Sequence, residues 1–169
     1  TRTSSSAASD VYKRQAGNNA GHVRVFDESG GVWTQVGADI DAEAATNSAG
    51  ASVSLSADGT RLAIGAILNS DAGNFAGQVR VYDESGGVWT QVGADIDGEA
   101  AEDRFGFSVA LSADGSRLAA GGYQNDANGN NAGHVRVFDE SGGVWTQVGS
   151  DIDGEAADLS LIHISEPTR

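Results

Sequence analysis

The stretch VRVFDESGGVWTQVG occupies Val23–Gly37. It returns at Val79–Gly93 with Tyr in place of Phe, and unchanged at Val135–Gly149. The spacing is 56 residues both times. From His22 to Asp41 the three copies differ at only three positions, namely His22/Gln78/His134, Phe26/Tyr82/Phe138 and Ala38/Ala94/Ser150. A second phrase obeys the same period: SVSLSADGTRLAIGA from Ser52 aligns with SVALSADGSRLAAGG from Ser108. A fixed period of this size marks a chain built from stacked supersecondary units, each of which cannot bury its apolar face alone.

Inside one unit the pattern is β throughout. Phe107, Val109 and Leu111 alternate with small residues, the two-residue period of a strand with one large-residue face. Ala113-Asp114-Gly115 supplies a hairpin turn, and Ser116–Gly121 reads as the second strand. The polar, glycine-rich NDANGNNAG (125–133) is a loop. His134–Asp139 is a third strand, Glu140–Gly143 turns it, and Val144–Val148 is a fourth. GSDIDGEAAD then carries the chain onward. Four short antiparallel strands repeated in tandem predict the blades of a β-propeller; a β-solenoid is the alternative, since stacking also buries repeat faces. Closure takes about four blades, more than this chain supplies.

The ends read differently from the middle. Asp10–Gln15 (DVYKRQ) can be encoded by GATGTGTATAAGAGACAG, whose reverse complement translates as LSLIHI, the residues Leu159–Ile164. The longer ends resemble translated sequencing adapters, so residues 1–15 and 159–169 are set aside as adapter-like or disordered. The remainder divides into the second half of a blade (16–44) and two blades (45–100 and 101–158), a fragment whose remaining blades lie elsewhere in the same protein.

The chain carries 10 Lys+Arg against 24 Asp+Glu, a net charge of -14. Without Arg2, Lys13, Arg14, Arg169, Asp10 and Glu166 at the ends, six basic residues remain, all Arg, against 22 acidic ones. Such a surface repels nucleic-acid phosphates and anionic membranes. There is no Cys, hence no disulfide or thiolate metal site, and no run approaches the ~18 apolar residues of a membrane-spanning helix.

The run DRFGFSVALSADGSRLAAGG, followed by GHVRVF and VWTQVG, resembles the FG-GAP repeat of integrin-alpha-type β-propellers. Phe105-Gly106 stands at the FG position and Leu118–Gly122 at the GAP strand. The earlier unit has Ala49-Gly50 and Gly65-Ala66-Ile67 there, and the family's spaced-Asp calcium loop is replaced by Ser56–Thr60 and Ser112–Ser116. WD-type repeats are a second likeness, through the LSADG-x-RLA phrase. The FG-GAP resemblance implies a secreted or cell-surface propeller that binds partners through loops on one face.

Candidate sites follow from residue chemistry. Trp33, Trp89 and Trp145 recur at one position, suited to stacking sugars or to filling the wedge between blades; the wedge is the favoured reading. Asp95, Asp97 and Glu99, with Asp151, Asp153 and Glu155 and Asp39, Asp41 and Glu43, offer oxygen ligands for Ca²⁺, although a solvated acidic turn is the favoured reading. Asp126, Asn128 and Asn130 are calcium-like in spacing, but Ser70, Ala72 and Asn74 stand at the aligned positions. His22 and His134 align with Gln78, which favours a strand-start polar role over metal ligation. Arg24, Arg80 and Arg136 lie mid-strand and read as cross-strand ion pairs. No nucleophile elbow, phosphate loop or H-E-x-x-H motif occurs. No catalytic, cofactor-binding or metal residues are therefore assigned. The expected function is non-enzymatic binding of a protein or glycan in the extracellular space, with Ca²⁺ the one cofactor considered. The alternatives are a propeller enzyme whose active site lies outside this segment, and a structural spacer.

Overall fold

The computed structural model describes residues 19–157 and, as backbone, the strand at residues 5–10. The described residues form fourteen β-strands and no helix, grouped into three antiparallel sheets. The first sheet contains β1 (Ser5–Asp10), β2 (His22–Ser29), β3 (Val32–Gln35) and β4 (Ile40–Asp41). The second contains β5 (Ala49–Leu55), β6 (Arg61–Ala66), β7 (Gln78–Ser85), β8 (Val88–Gln91) and β9 (Ile96–Asp97). The third contains β10 (Phe105–Leu111), β11 (Arg117–Gly122), β12 (His134–Ser141), β13 (Val144–Gln147) and β14 (Ile152–Asp153). In the second sheet the order is β5-β6-β7-β8, and the third repeats it as β10-β11-β12-β13. These are propeller blades, two complete and one partial.

The fourth strand departs from its expected form. Each blade's outer edge is two short strands, because β9 and β14 return to pair with β7 and β12 beyond a break. The break falls at Gly93 and Gly149, at φ +77° and +73°. A side-chain bridge holds it: Gln91 Nε2 donates to Asp95 Oδ1 at 2.6 Å, as Gln147 does to Asp151 at 2.6 Å and Gln35 to Asp39 at 2.9 Å.

The first strand is also irregular. A bulge separates Phe105, paired with Gly122, from Ser108, paired with Gly121, and Gly106 within it has φ +83°. The simple alternation predicted for Phe107, Val109 and Leu111 is therefore corrected. Phe105 takes the inner place at 0 % exposure, whereas Phe107 is pushed outward to 37 %.

Burial explains why the units must repeat. One core lies between the first and second blades, and joins Val23, Val25 and Ile40 to Leu62, Ile64 and Tyr82. The next lies between the second and third, and joins Val79, Val81 and Ile96 to Phe105, Leu111, Leu118 and Phe138. The period-2 alternation of each strand thus sends one set of side chains forward and the other back. In V-R-V-F/Y the valines face the following blade; the Arg and the ring face the preceding one. The inner strands also touch directly: Leu111 N–H donates to Ser54 Oγ at 3.0 Å, and Ser52 Oγ donates to Gly106 O at 2.6 Å.

The segments set aside at 1–15 and 159–169 lie outside the described residues except for β1. That strand pairs with β2 in the register by which β6 pairs with β7, Ser5 opposite Asp27 as Arg61 is opposite Asp83. β1 thereby covers an edge of β2 that would otherwise present unpaired backbone groups.

Candidate functional site

Two kinds of surface compete for function, the joints between blades and the rim of loops at one end of the strands. The joints are built from the repeated residues. Trp89 Nε1 donates to Val36 O at 2.9 Å and Trp145 Nε1 to Val92 O at 3.1 Å, each across a blade boundary. The two rings pack on the two cores and so fill wedges. Trp33, with no preceding blade among the described residues, is 53 % exposed.

The mid-strand arginines do the same work in polar form. Arg80 is buried, donates from Nη2 to Asp41 O at 3.2 Å, and lies 3.5 Å from Glu43. Arg136 donates from Nη1 to Asp97 O at 2.9 Å and lies 3.3 Å from Glu99. The expectation of cross-strand pairs is corrected: these ion pairs run between blades, because the Arg face of the strand looks backward. The acidic turns D-I-D-A-E (39–43) and D-I-D-G-E (95–99) are thereby engaged by the next blade's guanidinium. Burial pushes the carboxyls of Asp97 and Glu99 above their ordinary range.

A forward-reaching arginine completes the joint between the second and third blades. Arg61 grips Asp83 with two hydrogen bonds of 2.5 and 2.7 Å and extends Nη1 to Glu140 Oε2 and Gly115 O, both at 3.1 Å, in the next blade. The Glu140 carboxyl is held below its ordinary range, first by the Gly143 N–H at 2.7 Å and then by Arg61. A depressed folded value means that this stabilisation is present above the unfolded value and is lost as pH falls through the folded one. Glu140→Gln is expected to lower the melting temperature by roughly 2 °C near neutral pH, with the two melting curves converging in acid. A gap that persists in acid would assign the effect to packing.

The S-A-D-G turns each use one carboxylate oxygen to close the turn. Asp114 Oδ1 accepts from Ser112 Oγ at 2.6 Å, Ser116 Oγ at 2.8 Å and Ser116 N–H at 3.0 Å. The Ser112 hydroxyl first, then the Ser116 N–H, push its pKa down to about 2. Asp58 is held identically by Ser56 and Thr60. These aspartates brace the turn through Oδ1. Asp126, Asn128 and Asn130 are not brought together either: Asp126 Oδ1 accepts from Asn131 N–H at 2.7 Å, whereas Asn128 Nδ2 donates to Gly154 O at 2.8 Å.

The rim differs in character. Non-glycine residues with left-handed φ gather there at corresponding places, Asn19, Phe75 and Asn131 in one loop and Thr46, Ser48, Glu102 and Arg104 in the next connection. Such strain persists only where surrounding structure over-determines it. The two loops are laced together, Glu102 N–H donating to Asn74 O at 2.8 Å and Arg104 N–H to Phe75 O at 3.2 Å. On this frame Arg104 stacks on Phe75 at 4.5 Å and donates to Gln124 Oε1 at 3.1 Å. Next to Gln124 in the chain, Tyr123 packs against Phe107 with the rings tilted at 55° and their centroids 4.6 Å apart. Ala51 and Ile67 occupy the corresponding places one blade earlier. Phe75, Arg104, Phe107 and Tyr123 were not singled out from the sequence; the signal available was that they stand where the copies diverge.

Comparison with known families finds one match. Residues 92–138 match the FG-GAP repeat family, from the outer strand of the second blade into β12 of the third. No curated protein sequence matches the chain. Among solved structures, the chain is similar to a Bacteroides uniformis protein provisionally named a 6-phosphogluconolactonase, with TM-score 0.49 and 16 % identity over 78 % of this chain. The match covers 34 % of that protein, so the chain spans about a third of its length. The three sheets make the chain a β-propeller repeat module, and its residues 92–138 are similar to the FG-GAP repeat.

Proposed function

We propose that this module binds rather than catalyses, as part of a larger secreted or cell-surface protein that engages a glycan or protein through its loop rim. One observation carries the reading. The residues repeated in every blade are consumed by the joints, and what differs between blades at the rim is a half-exposed aromatic ledge, Phe107 on Tyr123, beside Arg104 and Gln124. Aromatic faces with a few polar groups beside them suit a sugar ring or an aromatic side chain of a partner. The strong negative charge suits neither nucleic acid nor an anionic membrane. The carboxylates that an enzyme would use are tied into turns and joints.

A panel of immobilised oligosaccharides tests the reading. The chain is expected to retain one class of them, and Phe107→Ala combined with Tyr123→Ala to weaken that retention by roughly tenfold or more, as for buried aromatic anchors. The melting temperature of the double variant is expected to stay close to that of the unaltered chain, since neither ring belongs to a core. Retention unaffected by the double change would move the binding surface off the ledge.

A further inference from the structure

The joint between the second and third blades contains a group of side chains that its packing does not explain. His134 begins β12 at 0 % exposure, with neither ring nitrogen hydrogen-bonded. Two buried unsatisfied nitrogens are costly. Nε2 lies over Gly122, where even a Cβ would come within 3.1 Å of it, and the Phe105 ring closes another side edge-on at 5.8 Å. Nδ1 faces the acids. It lies 3.4 Å from Asp151 Oδ2, and ligand atoms of Glu99, His134 and Asp151 all fall within 4.8 Å of one another. Glu99 belongs to the turn of the second blade, and His134 and Asp151 to the third.

The equivalent joint one blade earlier gives the comparison. There Gln78 replaces the histidine, and its Nε2 donates to Asp95 Oδ2 at 3.1 Å and to Asp97 Oδ1 at 3.3 Å. A strand-start polar residue at this place can thus satisfy its nitrogen on the acidic turn, and Gln78 does so. His134 reaches the same turn without such a bond.

We propose that Glu99, His134 and Asp151 form a divalent transition-metal site that bridges the second and third blades. Imidazole with two carboxylates is a ligand set for Zn²⁺ or Co²⁺, whereas Ca²⁺ takes oxygen ligands in larger number. Three protein ligands leave the remaining position to water. Arg136 shares the joint, 3.3 Å from Glu99 and 3.9 Å from Asp151. It is anchored by other acceptors, Asp97 O at 2.9 Å and Gln147 Oε1 at 3.0 Å. Its charge offsets one of the two carboxylates and leaves the cluster net negative for a cation. This site rests on the joint alone and stands or falls separately from the rim.

The chain itself supplies the test variant, since His134→Gln recreates the side chain that the neighbouring joint already accommodates. Zn²⁺ titration by calorimetry, with Co²⁺ absorbance as a second readout, is to be run on the unaltered chain, H134Q and E99Q. The unaltered chain is expected to bind one Zn²⁺ more than H134Q and to gain melting temperature with Zn²⁺ but not with Ca²⁺. E99Q is expected to bind at least tenfold more weakly, because even outer-shell changes cost ten- to a hundredfold. Matching metal-free melting curves show that H134Q folds; if it does not, E99Q, altered at a half-exposed side chain, carries the test alone. Equal Zn²⁺ stoichiometry and affinity in the unaltered chain and H134Q, or in the unaltered chain and E99Q, overturns the proposal. So does a chain that takes up no Zn²⁺.

Discussion

Trp145→Ala is expected to destabilise the chain by about 2–3 kcal/mol, at or just below the range for truncating buried aromatics because the ring is only partly covered. The lost ring packs on the core between the second and third blades, donates to Val92 O at 3.1 Å and lies under the Arg61 guanidinium at 5.9 Å. Its removal opens the wedge and leaves the Val92 carbonyl without that donor. The melting temperature should fall by roughly 5–10 °C. Trp33→Ala is the control. It removes the same side chain from the same repeat position, but at 53 % exposure, and surface changes of this kind cost under about 0.5 kcal/mol. Thermal melts of the two variants separate the contribution of the joint from the strand propensity of tryptophan. Equal losses would show that the ring acts within its own blade.

Gly77→Ala is expected to cost more, above about 4 kcal/mol, a large part of a typical domain's 5–15 kcal/mol. Gly77 has φ +82°, and a Cβ there would sit 2.2 Å from Phe105 O and 2.4 Å from Phe105 N. Those are backbone atoms of the next blade, bridged to Gly77 in parallel fashion, so no side-chain rotation relieves the contact. Gly87→Ala isolates the backbone component. Its φ is +84°, yet nothing lies within 4 Å of the added methyl, and left-handed backbone alone costs about 1–2 kcal/mol. Urea midpoints of the two variants should differ accordingly. A Gly77→Ala chain as stable as Gly87→Ala would mean that the blades separate without loss.

How much of this was legible before folding depends on distance along the chain. The D-G hairpins, the first three strands of the unit and the 56-residue period are local, and they appear close to where the residues placed them. The break at Gly93 was less legible, because Asp95-Ile96-Asp97 reads as a polar turn until Gln91 reaches across to Asp95. The bulge at Gly106 was hidden in a clean alternation, and it decides that Phe105 is buried and Phe107 exposed. For the arginines the strand and the stem packing were readable. Their partners were not, since Asp41 and Asp97 each lie 39 residues away in another blade.

The repeat, read as a string, determined an all-β chain of tandem antiparallel units, with a propeller favoured over a solenoid, and which residues must be interchangeable between units. It could not show what two adjacent blades make together, because each joint is composed of one unit's forward face and the next unit's backward face. Folding alone decided that Trp89 and Trp145 are half-buried against a preceding blade while Trp33 is exposed. The same holds for Phe107 meeting Tyr123 at the rim and for His134 turning unbonded toward Glu99 and Asp151. Strand period and turn chemistry act over a few residues and are written in order along the chain. Burial, ion pairing and ligand geometry depend on which residues meet across a blade boundary, and that pairing exists only once the sheets have stacked.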